Sequence, residues 1–375
     1  MLIYVLVSLL SIFVIYISYT RYGRVIIKCG NKSIRLADLL CIFIVLIFTI
    51  VMGIRADTVG IDTETYVRIH KKIAGAVSIP VAINQATFTG PLYIAVSWII
   101  TRFFKEPQIM LVLSSIIVNV GLYKFVKKAS RNIPLSLFIW IGIGMFYFSM
   151  NGNRQTMATV INLNALYFLL EGKKYIKGWL LVLIAFGIHP SSIIMLLAFF
   201  SAYICTKIND VKTLFVVSAG AGVVVDIFFK HVLNILFIFL PGYAKYTTSL
   251  DGRATIFEET GGGRIGYLYI FLLLLCCFWC LRGYVKEGNL EHKFFPMLVF
   301  SLVFGLLNRR NVYVSRMLLY YLSTYTIYAP AMFNKIRNKR DNALVIIGFI
   351  VALFIYSILL LIENQNGIVP YSTWG

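Results

Sequence analysis

The sequence predicts an all-α, polytopic integral membrane protein in which residues 1–375 form a single membrane domain. Three observations carry this prediction: 59% of the residues are hydrophobic while 13% are charged, the mean hydropathy is +0.83, and apolar runs of about 15 to 20 residues recur along the chain. Backbone groups in a bilayer must be hydrogen-bonded inside the protein, and long runs without alternation indicate helices instead of barrel strands. A soluble globular domain is therefore excluded.

The apolar runs mark about 12 transmembrane helices. The predicted spans are 2–19, 37–54, 108–126, 133–150, 154–170, 176–189, 191–206, 213–230, 265–282, 294–307, 315–333 and 342–362. The first run has no basic residue before it and no small-residue cleavage site after it, so we expect a retained span and not a cleaved signal peptide.

Short basic loops between the spans determine the predicted topology. The formal charge of +20 comes largely from such loops, and cytoplasmic loops of membrane proteins are enriched in lysine and arginine. This explanation makes a nucleic-acid partner unnecessary, and none is expected. The loops placed in the cytoplasm are 20–36, 127–132, 171–177, 206–212, 282–293 and 334–341.

A thirteenth apolar segment, 90–104, conflicts with that topology if it crosses the membrane. It starts at Gly90-Pro91, contains Arg102 and is short for a bilayer about 30 Å thick. We therefore expect a re-entrant or interfacial helix, and a region 55–107 that enters and leaves by the same, outer face. Both termini then lie outside, with twelve crossings.

The longest polar segments lie on the predicted outer face. They include the dense polar sequence 55–66, which directly follows the second span, and a long outer loop over 231–264. The cytoplasmic connections are short, and the chain lacks a Gly-rich phosphate-binding loop that ends in Lys-Ser or Lys-Thr. ATP-driven chemistry is therefore not expected.

Four arginines at or near the outer ends of spans form the candidate binding site. Guanidinium keeps its charge and pairs with phosphate oxygens through two parallel hydrogen bonds, so converging arginines favour a diphosphate ligand at the membrane surface. The alternative is that each side chain reaches outward to lipid headgroups. The candidates are Arg55, Arg154, Arg264 and Arg316.

Asp62 and His189 are the candidate proton acceptors. A carboxylate beside a cationic leaving-group site could take the proton of an acceptor hydroxyl, although Asp62 could instead pair with Arg55 or cap a helix that begins near Thr63. An imidazole could do the same work, although His189 could simply cap the turn before Pro190. The other histidines have no partners at metal-ligand spacing, so no metal site is predicted.

Tyrosines near the outer face are candidates for stacking on sugar rings, because they combine an aromatic face with a polar tip. Tyr243 and Tyr246 belong to the loop 241–264, whose three consecutive glycines allow a mobile lid, and Tyr320 follows Arg316. The alternative is an ordinary aromatic belt at the membrane interface.

The order of these motifs resembles the EpsG-type Wzy family of polysaccharide polymerases along most of the chain. The matching residues are Arg55 with Gly60-Ile61-Asp62 and Tyr66, then Asn153-Arg154-Gln155, then Ala185 to Ser191 around His189, then Ser315-Arg316-Met317 with Tyr320. Asn153 and Pro190 depart from the expected pattern, because an apolar residue is more usual before the arginine and proline is less usual after the histidine.

The resemblance implies a bacterial inner-membrane O-antigen or surface polysaccharide polymerase. Such an enzyme transfers the growing glycan from undecaprenyl diphosphate onto a lipid-linked repeat unit at the periplasmic face, without a metal or other cofactor. It implies that the four arginines hold the diphosphates, that Asp62 or His189 is the base, and that loop 241–264 contacts sugar. The partners are the undecaprenyl-diphosphate-linked oligosaccharide and membrane lipid, and a chain-length regulator is left open.

Two other functions remain open from the sequence. A flippase for the lipid-linked repeat unit would be a transporter, and such proteins usually contain repeated halves and broken mid-membrane helices, which the sequence does not suggest. An O-antigen ligase would use the same arginine chemistry and cannot be separated from a polymerase by sequence.

Overall fold

A computed structural model describes the chain apart from residues 30–31, 87–89, 229–230, 232–262, 286–287, 308–311, 337 and 375. The chain forms two compact units, which are described separately. The first consists of Met1–Ile193 with Tyr325–Gly375, and the second of Ile194–Thr324.

Helices dominate both units, so the predicted all-α class is confirmed. The first unit contains α1 (Leu2–Tyr19), α2 (Leu36–Gly53), α3 (Thr63–Ala74), α4 (Ile79–Gln85), α5 (Pro91–Thr101), α6 (Gln108–Ala129), α7 (Ile133–Gly142), α8 (Met145–Asn151), α9 (Asn153–Leu170), α10 (Tyr175–Ile188), α16 (Tyr325–Phe333) and α17 (Lys339–Glu363). The second contains α11 (Leu197–Cys205), α12 (Val211–Ile227), α13 (Gly263–Leu281), α14 (Leu290–Leu307) and α15 (Val312–Leu322).

A small antiparallel hairpin lies within the first basic loop, 20–36. Strands β1 (Ile26–Cys29) and β2 (Lys32–Arg35) pair with Ile27 opposite Ile34. β-Branched residues favour extended backbone, so two short strands form between α1 and α2.

The described part of the chain contains five helices that are long and apolar enough to span a membrane. These are α1, α2, α6, α14 and most of α17, and a sixth is obtained if the bent pair α7 and α8 counts as one span. Four shorter apolar helices of 10 to 17 residues accompany them. The protein is a multi-pass membrane protein, while the number of twelve crossings stays a prediction.

Two predicted continuous spans are broken helices. The span expected at 133–150 bends by 58° between α7 and α8, because Gly144 has a φ of +82° that ends the regular helix. The span expected at 315–333 breaks between α15 and α16, where Ser323 and Thr324 hydroxyls donate to carbonyls three residues earlier.

Helix α5 corresponds to the predicted re-entrant or interfacial segment 90–104. Its 11 residues span about 17 Å, roughly half of a bilayer core, and it packs against α3, α4 and α10. The re-entrant or interfacial path of this segment and its membrane side stay predictions.

Helix α9 lies at the centre of the first unit and packs on α6 and α10. A Cβ on Gly121 would lie 2.9 Å from the Val160 side chain, so glycine permits close approach of α6 and α9. Asn164 crosses the same interface and donates to the Gly121 carbonyl at 2.9 Å. In the second unit, α14 contacts α11, α12, α13 and α15.

Candidate active site

The polar segment that follows α2 is held by the C-terminal tail. Arg55 forms an isolated antiparallel bridge with Thr373, and the hydroxyl of Tyr371 donates to the Val51 carbonyl at 3.0 Å. Further main-chain bonds join Ala56 to Ser372 (2.9 Å), Trp374 to Ile54 (2.8 Å) and Gly60 to Gly367 (2.8 Å). Residues about 310 positions apart therefore fix the backbone around Arg55.

The same segment is anchored on its other side to the junction of α8 and α9. Gly60 has a φ of +98°, and a Cβ there would lie 2.3 Å from the Met150 carbonyl oxygen, so both backbone and space require glycine. The Asp62 amide donates to the Asn151 side-chain oxygen at 2.9 Å, and the Tyr66 hydroxyl donates to the Asn151 carbonyl at 3.1 Å.

Arg55 is fully buried, with an exposed fraction of 0%. Its guanidinium donates to two carbonyls close in sequence, Val59 of the same loop (Nε, 3.3 Å) and Met52 of the last turn of α2 (Nη1). The remaining nitrogen, Nη2, is buried without a hydrogen-bond partner in the described structure. Burial lowers the pKa of Arg55 to about 10, which still leaves the side chain charged at neutral pH. A buried cation with a spare donor suits an anionic ligand.

Arg154, in the first turn of α9, lies against two tyrosines from different helices. Its guanidinium carbon is 5.4 Å from the ring centroid of Tyr66, on α3, and 5.5 Å from that of Tyr93, on α5. The two ring centroids are 6.5 Å apart. Both distances from Arg154 fall within the range of cation–π attraction, and its Nε is buried without a hydrogen-bond partner. The rings position the guanidinium but do not satisfy its donors.

Asn153 is the residue that sequence reasoning missed as a candidate ligand. It is 1% exposed, and neither its side-chain oxygen nor its nitrogen has a hydrogen-bond partner in the described structure. The first N–H groups of α9 also lack partners within the helix. Buried amides are normally satisfied. The departure from the family pattern at this position was the signal, and it was interpreted only as a mismatch.

Tyr66 and Tyr93 were also absent from the predicted site. Tyr66 belongs to the first matching motif, but its contact with Arg154 depends on the fold. Tyr93 lies within the apolar segment 90–104, where a tyrosine resembles any interfacial aromatic residue. No local signal in the sequence distinguishes it.

His189 follows α10 directly, and its Nδ1 lies 2.7 Å from the Ser191 hydroxyl. A Cβ on Gly90 would lie 2.2 Å from the Ile188 carbonyl oxygen, so the start of α5 packs on the backbone that precedes His189. The same helix carries Tyr93 three residues later. Helix α5 therefore links the surroundings of His189 and Arg154.

Four of the predicted site residues belong to the first unit: Arg55, Asp62, Arg154 and His189. Asp62 is half-buried and precedes α3 as its N-cap residue, although no hydrogen bond from its side chain to the helix caps it. The geometry brings its backbone to Asn151, two residues before Asn153. Catalytic roles for Asp62 and His189 stay predictions.

The other predicted site residues belong to the second unit or lie outside the described residues. Arg316 is half-buried on α15, and Tyr320 on the same helix has an exposed fraction of 0%. Arg264 lies in the first turn of α13, and its side chain is outside the described part. Tyr243 and Tyr246, and most of the loop 231–264, are also outside the described residues.

The chemistry available at the first-unit site is anion binding. Its groups are the Arg55 Nη2, the Arg154 Nε, the Asn153 amide and the first N–H groups of α9, whose helix dipole also favours negative charge. Within the described residues, no group of three histidine, cysteine, aspartate or glutamate side chains could hold a metal ion.

Comparison with protein-family models matches residues 38–373 of this chain to the EpsG family. The match covers most of both units and runs from before Arg55 to Thr373 in the tail. No curated protein and no solved structure matches the chain.

Proposed function

This chain belongs to the EpsG family, and from that membership and the arginine site we propose that it is a surface polysaccharide polymerase of the O-antigen type. The proposed substrates are glycans linked to undecaprenyl diphosphate, and the proposed location is the bacterial inner membrane with the site on the periplasmic face. The observation that carries the proposal is the buried Arg55 and the half-buried Arg154, each with one buried guanidinium nitrogen that has no hydrogen-bond partner in the described structure.

The proposed reaction moves the growing glycan from its lipid carrier onto the next lipid-linked repeat unit. A hydroxyl oxygen of the acceptor sugar attacks the anomeric carbon of the donor glycan. A new glycosidic C–O bond forms, the bond from that carbon to the diphosphate oxygen breaks, and undecaprenyl diphosphate leaves with the electron pair. The hydroxyl proton passes to a base of the enzyme.

The arginines stabilise the charge that develops on the leaving diphosphate. Arg55 is fixed by its own loop and the tail, and Arg154 is fixed between Tyr66 and Tyr93, so their donors are oriented before the substrate arrives. Donors that are already oriented stabilise a transition state more than donors that must reorganise. In many other enzymes a metal ion stabilises the charge on a leaving diphosphate, and here the arginine side chains do so. Polymerisation by the purified enzyme should therefore persist in EDTA.

Asp62 and His189 are the proposed alternatives for the base. When the Nδ1–H of His189 donates to Ser191, the other ring nitrogen carries no proton and can accept one. Asp62 lies at the N-terminus of α3, one helical turn before Tyr66. Two separate substitutions, Asp62→Asn and His189→Gln, decide between them. The variant that lacks the base should lose most of the polymerase activity, and the other variant should keep it.

Deletion of the gene, followed by electrophoresis of the surface glycan, tests the proposal. A polymerase mutant keeps a single repeat unit on its acceptor and loses the ladder of longer chains. Loss of the single repeat as well would contradict the proposal and favour a flippase or a ligase. Complementation with the intact gene should restore the ladder.

A further inference from the structure

A second basic cluster lies at the opposite end of α9 from Arg154. Lys128 of α6 and Lys177 of α10 both approach the ring of Phe168, with their Nζ atoms 4.4 Å and 4.6 Å from its centroid. An 18-residue helix is about 27 Å long. The lysine cluster is therefore separate from the arginine site.

Like charges accumulate in this cluster. Lys177, Lys124 and Lys174 each repel the ammonium group of Lys128, and all four side chains are exposed. An anion would relieve the repulsion among these lysines.

An exposed apolar face begins beside the lysines. On α10, Ile176 is 81% exposed, Leu180 is 55% exposed and Leu183 is 64% exposed. Their spacing of four and three residues places them on one face of the helix. The opposite side packs on α9, where a Cβ on Gly178 would lie 2.3 Å from the Leu169 side chain. Charged groups at one end of an exposed apolar face match the headgroup and acyl chains of a lipid.

We propose that Lys124, Lys128, Lys174 and Lys177 bind the headgroup of an anionic phospholipid whose acyl chains lie along α10. The phosphate contacts the ammonium groups on and beside the Phe168 ring, which holds two of them by cation–π attraction. Basic pockets between transmembrane helices bind anionic lipid headgroups by the same chemistry. The site is independent of the proposed polymerase reaction.

The test is a titration of the purified full-length protein in neutral detergent with phosphatidylglycerol, read by native mass spectrometry. The double variant Lys128→Gln/Lys177→Gln should bind this lipid on the order of tenfold more weakly, because each of the two lysines contributes to the affinity for an anionic headgroup. The matched control is Lys207→Gln/Lys212→Gln, which removes two exposed lysines from another predicted cytoplasmic loop. It should stay within about twofold of the parent.

Three outcomes overturn the proposal. Equal weakening in both double variants would show a general effect of positive charge and not a site. Equal binding of phosphatidylcholine would remove the role of the headgroup charge. Displacement of phosphatidylglycerol by millimolar inorganic phosphate would indicate a site for soluble anions. If the glutamine variant does not fold, the pair Lys128→Arg/Lys177→Arg is measured in its place. This variant keeps both charges and must retain the lipid.

Discussion

The two ends of α9 hold basic residues in opposite ways. At its N-terminus, Arg154 lies between two tyrosines, and the neighbouring Arg55 is fully buried with a spare donor. At its C-terminus, Lys128 and Lys177 remain exposed beside one aromatic ring. Both ends are basic, so net charge does not distinguish them. They differ in how far the cations are buried and in whether donors are left without hydrogen-bond partners.

The free-energy cost of holding a cation also differs between the two ends, because the lysines are exposed and Arg55 is buried. An exposed lysine keeps its water and costs little, whereas a buried cation without a counter-charge is expensive to maintain. The choice of side chain agrees with this difference, because arginine stays charged where lysine would lose its proton. The arginine end is therefore built for a ligand, while the lysine end accommodates one at the membrane surface.

The substitution with the largest expected effect at the arginine end is Arg154→Ala. We expect the polysaccharide ladder to disappear, with a loss of at least about 100-fold in polymer, because an oriented donor for the leaving diphosphate is removed. The measurement is glycan electrophoresis at matched protein level. Lys173→Ala, an exposed residue near the lysine end, should leave the ladder intact. A normal ladder in Arg154→Ala would remove this arginine from the proposed site.

A second substitution alters the backbone of the segment that carries Arg55. Gly60→Ala places a Cβ against the Met150 carbonyl at a φ of +98°, which should cost about 1 to 3 kcal/mol of stability. We expect a lower unfolding temperature and a weaker ladder. Gly75→Ala is the matched control, since its φ is −82° and its nearest new contact is ordinary at 3.9 Å. Equal stability of the two variants would contradict the proposed role of Gly60.

Asn153→Ala separates ligand binding from stability. Its amide has no partner within the described protein, so its removal should leave the unfolding temperature unchanged while it reduces polymer by about tenfold, the value of one hydrogen bond to a charged group. Asn132→Ala should do the reverse. The Asn132 side chain caps α7 by accepting from the Leu135 amide at 3.0 Å, and the loss of such a cap costs about 1 kcal/mol. Parallel effects of both variants would remove Asn153 from the site.

Sequence alone predicted the helical class and singled out Arg55 and Arg154, but it did not predict what surrounds these two side chains. Apolar runs report helices directly, and Arg154 stands out because a charge opens an apolar helix. The pairing of Arg55 with Thr373 is different, because main-chain bonds between distant segments leave no periodic pattern. The same holds for Tyr93, which reaches Arg154 only through the packing of α5. Local signals predicted the elements, whereas long-range packing determined which residues meet.

The smallest predicted effect concerns pH and the helix that carries Tyr66. His70, one turn further along α3, is 1% exposed. Burial lowers the pKa of His70 below its usual value, while the backbone of Phe104 and Lys105 and the Glu106 carboxylate oppose the shift in part. The unfolded chain therefore binds this proton more readily than the folded one. The stability from neutral His70 is complete above about pH 6.5 and falls as the pH drops through the folded pKa, by at most about 1.4 kcal/mol per pH unit.

We expect the unfolding temperature of the parent protein to fall between pH 7 and pH 5 by more than that of His70→Phe. In this variant a phenyl ring, which cannot be protonated, replaces the imidazole. His231→Gln, at an exposed histidine, should follow the parent. Lys128→Gln/Lys177→Gln should lose as much stability in acid as the parent, because it leaves His70 unchanged. If His70→Phe and the parent lose the same stability in acid, the titrating group lies elsewhere, and the arginine end differs from the lysine end in burial without being sensitive to pH.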